Sequence, residues 1–339
     1  MNMTWGYVWG IWWWRNTGEN MNPAQQRTGL CDIPTPTLSA ELFRSSDMTA
    51  LRDRGLASGI PQSVPTDVVV IGTRPNVHNS RFLAHQWNGF VPIGSICATR
   101  DNNYVCSPEF CLLQVGRYLK RLTSTSLEPW QYVVILTELV CEFCGTYSKQ
   151  NTTRGFKNRR NPLTTLGQIM MFCGRMAFEP GANTLRKAAS WIVEGLNSPM
   201  ETILYLLFCL PKSYGGLEFP RPFSNYPIPV PAELRTKARK GYIVPDLFWP
   251  EANLIVEFNG KDTHEGQEVE DQERQEVAQE MGYAEVTFRK ADLYDSKRFM
   301  SKAQSVAKYL GQALPPSSER FDELQNTLRT MLLRHERWI

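Results

Sequence analysis

The chain has 339 residues, of which 42% are hydrophobic and 21% are charged. This length exceeds what one hydrophobic core usually accommodates, so two domains are predicted, and the composition is that of a globular protein rather than a disordered one. The net charge of +3 is too small to indicate a nucleic-acid partner by itself. No run of about 18 uncharged apolar residues occurs in the sequence, which argues against a transmembrane helix and a membrane partner.

The N-terminal segment is rich in tryptophan. Five of the ten tryptophans lie at positions 5, 9, 12, 13 and 14. The segment lacks the basic region and the small-residue cleavage site of a signal peptide. Met21 begins a second plausible start, MNPAQQRTGL. Residues 1–29 are therefore predicted to be a poorly structured extension, with an anchor at a membrane interface as the alternative.

The eight cysteines are scattered, mostly through apolar segments. Such a scatter is typical of buried free thiols in a reducing compartment rather than of a disulfide framework, and it predicts a cytoplasmic protein. One C-x-x-C pair occurs, Cys141 and Cys144, with no second pair at the spacing of a zinc site. We expect this pair to lie in a hydrophobic core.

The N-terminal half is predicted to be mixed α+β. Short helical segments are expected at 30–62, and strand-like runs such as DVVVIGT make 66–106 rich in β-structure. Ser107 is placed as the N-cap of the helix SPEFCLLQVGRYLKRL, with Pro108 at its first position. An apolar helix, WQYVVILTELVCEFCG, then ends at Gly145.

The next segment is a polar connector, 148–161, with five Lys or Arg residues. Helices are predicted at about 163–177 and 182–195. A proline-rich link, 219–231, follows. Beyond residue 240 the elements alternate as strand, strand, helix, strand, helix, which indicates an α/β domain.

Two strand-like runs near residue 250, GYIVPDLFW and NLIVEFN, each contain one acidic residue. A hairpin closed symmetrically at the turn between them pairs Trp249 with Leu254 and Asp246 with Glu257. The two carboxylates then lie on one face, with Cβ atoms ~5 Å apart, and repel each other unless a cation bridges them. The alternative is a hairpin whose acids face solvent and bind no metal.

Period-two alternation places the apolar residues on the other face of this hairpin, where they form a core. These residues are Leu247, Trp249, Leu254, Val256 and Phe258. Asp246, Glu257 and Asn259 remain together on the first face. Oxygen ligands of this kind suit Mg²⁺ or Mn²⁺. A metal held there activates water and neutralises the charge that develops in phosphodiester cleavage.

Pro245-Asp246, ten further residues and then Glu257-Phe258-Asn259 resemble the PD-(D/E)XK nuclease superfamily. Within it, VEFNGKDTHE followed by DQERQEVAQEMGYAEVTFR is most similar to small domains related to very-short-patch-repair endonucleases. The resemblance covers about 195–311. It implies a restriction-endonuclease-like α/β (α+β) domain with a mixed sheet flanked by helices, and Mg²⁺- or Mn²⁺-dependent cleavage of DNA.

The resemblance also implies roles for single residues. The pattern of these domains falls on Glu257, Phe258, Asn259, Gly260, His264, Asp271, Arg274 and Gly282. The superfamily's lysine falls on Asn259, which cannot act as a charged base, and Lys261 is placed to supply the ammonium instead. His264 is assigned to a phosphate or to water, or is simply an exposed loop histidine. Asp271 and Arg274 support the site, or pair with each other on one helix.

Two further groups are assigned through the resemblance. Relatives carry a glutamate on the first core helix, where Glu201 stands, as a third metal ligand; Ser198-x-x-Glu201 also has the form of a capping box. A basic flank precedes the first catalytic strand and is predicted to follow the phosphate backbone, with an ordinary linker as the alternative. The basic flank consists of Arg235, Lys237, Arg239 and Lys240.

The segment 30–145 resembles the regulator-like half of AbiEi-type antitoxin proteins, with a Ser-Pro-Glu helix start at Ser107. This implies binding of DNA, a partner protein or a second copy. The leading hypothesis is a metal-dependent endonuclease in a defence or toxin–antitoxin context. The alternative is a DNA-binding regulator or antitoxin-like protein whose nuclease domain lacks turnover, which Asn259 favours. The predicted segments are an extension (1–29), the regulator-like domain (30–147), a connector with helices (148–194), the nuclease-like domain (195–311) and a C-terminal helix (312–339).

Overall fold

The computed structural model describes residues 4–16, 27–28, 66–71, 82–99, 104–122, 127–150, 155–238, 241–260 and 267–334. The chain divides into two compact units, Met1–Ile192 with Arg337–Ile339, and Val193–Glu336. Both units combine helices with sheets, which confirms the predicted mixed class of α and β structure. The finer division into five segments stays a prediction.

The first unit contains a six-stranded mixed sheet and a separate two-stranded ribbon. The sheet has the order β2-β5-β6-β1-β3-β4 and the ribbon pairs β7 with β8. The strands are β1 (Thr4–Trp5), β2 (Arg27–Thr28), β3 (Thr66–Ile71), β4 (Phe82–Trp87), β5 (Ile96–Ala98), β6 (Tyr104–Cys106), β7 (Tyr147–Lys149) and β8 (Phe156–Asn158). The helices are α1 (Tyr7–Asn16), α2 (Pro108–Leu122), α3 (Pro129–Cys144), α4 (Leu166–Arg175) and α5 (Ala182–Ala189).

The strands and helix ends predicted for the first unit are confirmed within the described residues. Residues 66–106 are rich in strands, and α2 begins at Pro108. The Oγ of Ser107 accepts a hydrogen bond from the N–H of Phe110 at 3.3 Å, so Ser107 caps the helix as predicted. Helix α3 ends where Gly145 follows it. The helical segments predicted at 30–62 lie outside the described residues.

The tryptophan-rich segment is a correction to the sequence-based prediction. Residues 4–16 are not a poorly structured extension, because they form β1 and α1 inside the first unit. Trp5, Trp9 and Trp14 are buried, and Trp14 donates its indole N–H to the carbonyl of Cys106 at 2.9 Å. The physical reason is the large apolar surface of three indoles, which gains more from a core than from water. The rest of the predicted extension, apart from β2, lies outside the described residues.

The described cysteines are free thiols, as predicted. They are Cys97, Cys106, Cys111, Cys141, Cys144, Cys173 and Cys209, and all seven are buried. Cys141 and Cys144 lie within α3 and are core residues. No helix within the described ranges combines the length and the apolar character needed to cross a membrane.

The second unit is built on a four-stranded sheet of order β14-β13-β12-β9, with β10 and β11 as a separate ribbon. The strands are β9 (Phe223–Ser224), β10 (Ile228–Pro229), β11 (Tyr242–Ile243), β12 (Leu247–Trp249), β13 (Leu254–Asn259) and β14 (Ala284–Arg289). The helices are α6 (Pro199–Cys209), α7 (Arg235–Ala238), α8 (Gln267–Glu280), α9 (Lys290–Tyr294), α10 (Ser296–Leu310) and α11 (Glu319–Leu333). The predicted alternation of strands and helices beyond residue 240 is confirmed, except that the run GYIVPDLFW is not one strand: it is divided into β11 and β12, which belong to different sheets.

The β12–β13 hairpin has the predicted register. Trp249 pairs with Leu254 and Leu247 with Val256 in antiparallel fashion, around a 3₁₀ turn, Pro250–Ala252. Strand β14 joins β13 in parallel, because the chain crosses over through α8. The sheet is therefore mixed, with its only parallel pair among the described strands of this unit at β13–β14.

The hairpin buries apolar residues on both of its faces, whereas the sequence predicted one apolar and one acidic face. Trp249 contacts the ring of Phe208 on one side, with ring centroids 6.3 Å apart. On the other side, Phe248 and Ile255 belong to a buried cluster with Val277 of α8. Helix α8 thus covers the face that also carries the acids, and it brings charged side chains of its own to them.

Candidate functional site

Asp246 and Glu257 lie at neighbouring positions of the hairpin. Asp246 directly precedes Leu247, and Leu247 pairs with Val256, the residue before Glu257. The Oδ2 of Asp246 accepts a hydrogen bond from the backbone N–H of Phe258 at 2.7 Å. This bond ties the carboxylate that directly precedes β12 to the backbone of β13. The structure therefore brings together the two acids that the sequence predicted to meet.

Glu257 forms an ion pair with helix α8. Its Oε1 accepts a hydrogen bond from Nη1 of Arg274 at 2.8 Å. Glu257 is 7% exposed, whereas 35% of the Arg274 side chain is exposed. Arg274 thus reaches the site from the solvent side, while Glu257 is held in the protein interior.

Glu201 is the third predicted acid, and it is held at the start of α6. Ser198 caps the helix by accepting from the N–H of Glu201 at 3.2 Å. The Oε2 of Glu201 accepts from the backbone N–H of Asn197 and from Nδ2 of Asn225, both at 2.9 Å. The predicted cap by Ser198 is therefore present, while the reciprocal bond of Glu201 goes to Asn197 rather than to Ser198.

Asn225 connects two of the acids, and sequence reasoning missed it. Its side chain bonds Glu201, and its backbone N–H donates to the carbonyl of Asp246 at 3.1 Å. Its φ is 47°, in the left-handed region that asparagine tolerates better than most residues. The sequence FSNYP contains an asparagine close to a proline, a pattern that predicts a tight turn.

The three carboxyl groups have raised pKa values. Burial, and then the charges of Glu201 and Glu257, raise the pKa of Asp246 well above its usual range. Burial raises the pKa of Glu257 to about 7, with Arg274 opposing the shift and Glu285 adding to it. Burial also raises the pKa of Glu201, against the hydrogen bonds from Asn225 and Asn197. The site thus holds more acidic groups than its one arginine compensates.

Glu285 is a further acid that the sequence did not single out. It stands on β14 opposite Ile255, two residues along the strand from the position that pairs with Glu257. Its Oε1 accepts from the hydroxyl of Thr287 at 3.2 Å. Its charge acts on both Glu257 and Arg274. The alternating run AEVTFR carries the signal, because parallel pairing with β13 sets Glu285 and Thr287 on the face of Glu257.

Asp246 and Glu257 are the residues of this site that could hold a divalent cation. Within the described part of the chain, no group of three or more His, Cys, Asp or Glu side chains is arranged to hold a metal ion. Mg²⁺ often takes only one or two carboxylates and completes its shell with water and phosphate oxygens. Asp246 and Glu257 meet that smaller requirement, with Asn259 two residues further on β13. The residues present therefore fit a two-carboxylate site for Mg²⁺ or Mn²⁺.

Several predicted site residues lie outside what the structure describes. Lys261, His264, Arg239 and Lys240 are outside the described residues, and the side chain of Asp271 on α8 is not described either. Their assigned roles stay predictions.

The described cations of the basic flank have partners within the protein. Arg235 donates from Nε to the carbonyl of Val230 at 3.2 Å. Lys237 pairs with Glu276 at 2.8 Å and with Glu280 at 2.7 Å on α8. Contact with DNA phosphates requires Lys237 to leave these two glutamates, and the predicted role of the flank stays a prediction.

Comparison of the chain with models of protein families, with curated proteins and with solved structures gives no match. The functional proposal therefore depends on the site itself: two adjacent, mutually repelling acids on a hairpin, a third acid beside them, and one arginine.

Proposed function

We propose that the second unit is a metal-dependent endonuclease domain of the restriction-endonuclease-like fold. It hydrolyses phosphodiester bonds in DNA, in a defence or toxin–antitoxin context, and Asp246 and Glu257 would hold Mg²⁺ or Mn²⁺. The observation that carries the proposal is the placement of Asp246 beside Glu257, with Asp246 hydrogen-bonded to the N–H of Phe258; burial raises the pKa of both carboxyl groups there. Neighbouring buried acids that repel each other are stabilised by a bound divalent cation.

The order of elements supports the fold assignment. Helix α6 carries Glu201, the β12–β13 hairpin carries the acid pair, and α8 carries Arg274 before Gly282 leads into β14. Gly282 has a φ of 85°, which a residue with a Cβ rarely adopts. This is the order that the resemblance to very-short-patch-repair-related domains implies. Helices flank the mixed sheet on both faces.

The proposed cleavage reaction would use two oriented carboxylates and one partly exposed arginine. A bound divalent metal would activate a water molecule and neutralise charge on the scissile phosphate. Asp246 is oriented by the N–H of Phe258, and Glu201 is oriented by Asn225 and Asn197. The partly exposed guanidinium of Arg274 presents further N–H donors beside Glu257, and a guanidinium suits phosphate oxygens. Lys261 and His264 are the residues to which the resemblance assigns the orientation of water.

Cleavage of supercoiled plasmid tests the proposal. We expect nicking by the wild type with Mg²⁺ or Mn²⁺, and a loss of roughly 100-fold or more in Asp246→Asn and in Glu257→Gln, because each change removes an anionic ligand. Glu251→Gln is the matched control, since Glu251 is exposed on the turn of the same hairpin. Nicking that survives in either site variant would contradict the proposal.

The second candidate is a DNA-binding regulator whose nuclease domain lacks turnover. Two observations favour it: Arg274 already pairs with Glu257, and the described residues hold no three-ligand cluster. Fluorescence anisotropy with labelled duplex DNA separates the candidates. Tight, salt-dependent binding without cleavage by the wild type supports the regulator. Absence of both cleavage and binding contradicts both candidates.

A further inference from the structure

The first unit contains a cavity of about 370 Å³. Its polar lining residues are Tyr7, His85, Gln86, Arg117 and Tyr118. The volume lies within the ~300–1,000 Å³ of typical small-molecule sites and corresponds to about a dozen water molecules at ~30 Å³ each. A free phosphate ion would leave most of this space unfilled. The cavity is therefore of a size suited to a small organic molecule.

His85 is held in one orientation by a buried acid. Its Nε2 lies 2.6 Å from Oδ1 of Asp67, across the neighbouring parallel strands β4 and β3. Asp67 is 2% exposed and also accepts from the backbone N–H groups of Val8 and Trp9 in α1. Burial raises the pKa of Asp67 against the hydrogen bonds from His85, Trp9 and Val8, and the pair fixes the position of the imidazole in the cavity wall. Sequence reasoning singled out neither residue.

Tyr7 lines the cavity with a strained backbone. Its φ is 51°, a left-handed conformation that a bulky residue rarely adopts. The Oε1 of Gln114 accepts its N–H at 2.9 Å. Its ring stacks on His85 with centroids 3.7 Å apart, and Tyr118 meets His85 edge-on at 5.0 Å. Backbone strain that the surroundings maintain is concentrated at functional sites, and here it places an aromatic ring in the cavity wall.

One basic side chain lines the cavity. Among the described residues that line it, Arg117 carries the only permanent charge. Arg117 is exposed, and its guanidinium lies 5.1 Å from the centroid of the Trp87 ring. Burial raises the pKa of Tyr7 to about 12, with the nearby charge of Arg117 opposing the shift. The Tyr7 hydroxyl therefore stays protonated at neutral pH and acts as a donor.

We propose that this cavity binds a nucleoside monophosphate, with the phosphate on Arg117 and Tyr7 and the base beside the rings of His85 and Tyr118. A guanidinium offers two parallel N–H groups and Tyr7 offers a third donor, which matches the three terminal oxygens of a phosphate better than the two of a carboxylate. Aromatic side chains favour a planar ring as the organic part. The proposal concerns the first unit alone and does not depend on nuclease activity.

Isothermal titration calorimetry of the full chain in EDTA tests this inference. The probes are the 5′-monophosphates of adenosine, guanosine, cytidine and uridine, and inorganic phosphate. We expect at least one nucleotide to bind, with Kd raised tenfold or more in Arg117→Met and unchanged in Arg175→Met, whose arginine is exposed on α4 outside the cavity. Thermal unfolding by circular dichroism checks that each variant folds.

A second variant tests the contact with the base separately from the contact with the phosphate. Tyr118→Leu is expected to weaken nucleotide binding at least threefold while leaving the weaker binding of inorganic phosphate unchanged. Three results overturn the proposal: no nucleotide binds the wild type, Arg117→Met binds as well as the wild type, or inorganic phosphate binds as tightly as every nucleotide.

Discussion

Glu142 in the first unit and Glu257 in the second are both buried glutamates that pair with an arginine, but their pKa values shift in opposite directions. Glu142 accepts two N–H groups of Arg15, at 2.9 and 2.7 Å, and the backbone N–H of Lys149 at 2.9 Å. Burial alone would raise its pKa, but the charge and hydrogen bonds of Arg15 and the charges of Lys149 and Arg160 together outweigh burial, and the pKa lies below its usual value. Burial raises the pKa of Glu257 to about 7, and Arg274 does not offset it.

The difference lies in the neighbours of each carboxylate. Lys149 and Arg160 add positive charge around Glu142, whereas Glu285 and Glu201 add negative charge around Glu257. Glu142 therefore has the environment of a structural ion pair, complete within the fold. A further cation bound beside Glu257 would lower the free energy of the folded state. Burial of an acid beside an arginine does not by itself distinguish a structural from a functional role; the balance of the surrounding charges does.

The largest effect is expected when the ion pair between Glu142 and Arg15 is broken. Glu142→Gln is predicted to lower the free energy of unfolding by ~3–5 kcal/mol, because Arg15, 7% exposed, loses the carboxylate that carries most of its charge compensation. Urea unfolding followed by circular dichroism measures it. The double variant Arg15→Met with Glu142→Leu is expected to recover part of the loss, since the guanidinium of Arg15 is then no longer buried without its main counter-ion. A loss below about 1 kcal/mol in Glu142→Gln would contradict the structural role.

The next effect is a pH dependence of the second unit. The pKa of Glu257 is about 7 in the folded chain, above the usual 4.5, so its contribution to stability is present at acid pH and is lost as the pH rises through 7. The shift corresponds to roughly 3 kcal/mol at 1.36 kcal/mol per unit. Urea unfolding at pH 5 and pH 8 is expected to show this loss in the wild type and in Glu251→Gln. Glu257→Gln should reduce this loss, and the raised pKa values of Asp246 and Glu201 account for the remainder. An equal loss in Glu257→Gln would refute the assignment.

A smaller effect is expected when a divalent cation is added to the second unit. At pH 8 and ten times its Kd, Mg²⁺ or Mn²⁺ is expected to stabilise the wild type by about 1.4 kcal/mol, because it binds the folded site and not the unfolded chain. Asp246→Asn should abolish this stabilisation. Thermal unfolding with added metal, and with EDTA as the reference, measures it. Equal stabilisation of Asp246→Asn would place the metal elsewhere.

The smallest effect concerns the exposed pairs of Lys237. Lys237→Met is expected to leave the free energy of unfolding unchanged within error, because exposed ion pairs contribute little. If the basic flank follows DNA, the same variant lowers the slope of log affinity against log salt by about one. Lys212→Met, which removes another exposed lysine beside a glutamate, is the control. An unchanged slope would remove Lys237 from the DNA-contacting residues.

Local sequence signals determined much of the fold. The Ser107-Pro108 start of α2 and the end of α3 before Gly145 depend on caps within a few residues of each other. The hairpin register that pairs Trp249 with Leu254 follows from a short turn and a period of two. These features were predictable because the interacting groups lie close together along the chain.

The candidate acid site was only partly predictable. The hairpin sets Asp246 beside Glu257, but Asn225 and Glu285 reach the site through strands whose pairing no local pattern specifies. Arg274 meets Glu257 because α8 packs on the acid face of the sheet. The resemblance placed Arg274 near the site; its contact with Glu257 required the packed helix.

In the first unit, more of the fold depends on tertiary contacts than on local sequence patterns. The second plausible start at Met21 predicted that the tryptophan-rich segment is an extension. Strand β1 is two residues long and lies between β6 and β3 in the sheet. Asp67 and His85 stand 18 residues apart and meet because β3 and β4 pair in parallel. By itself the sequence determined the caps, the turns and the hairpin register, whereas the pairing of distant strands and the charges each buried acid meets were decided by packing, since burial depends on which elements cover one another.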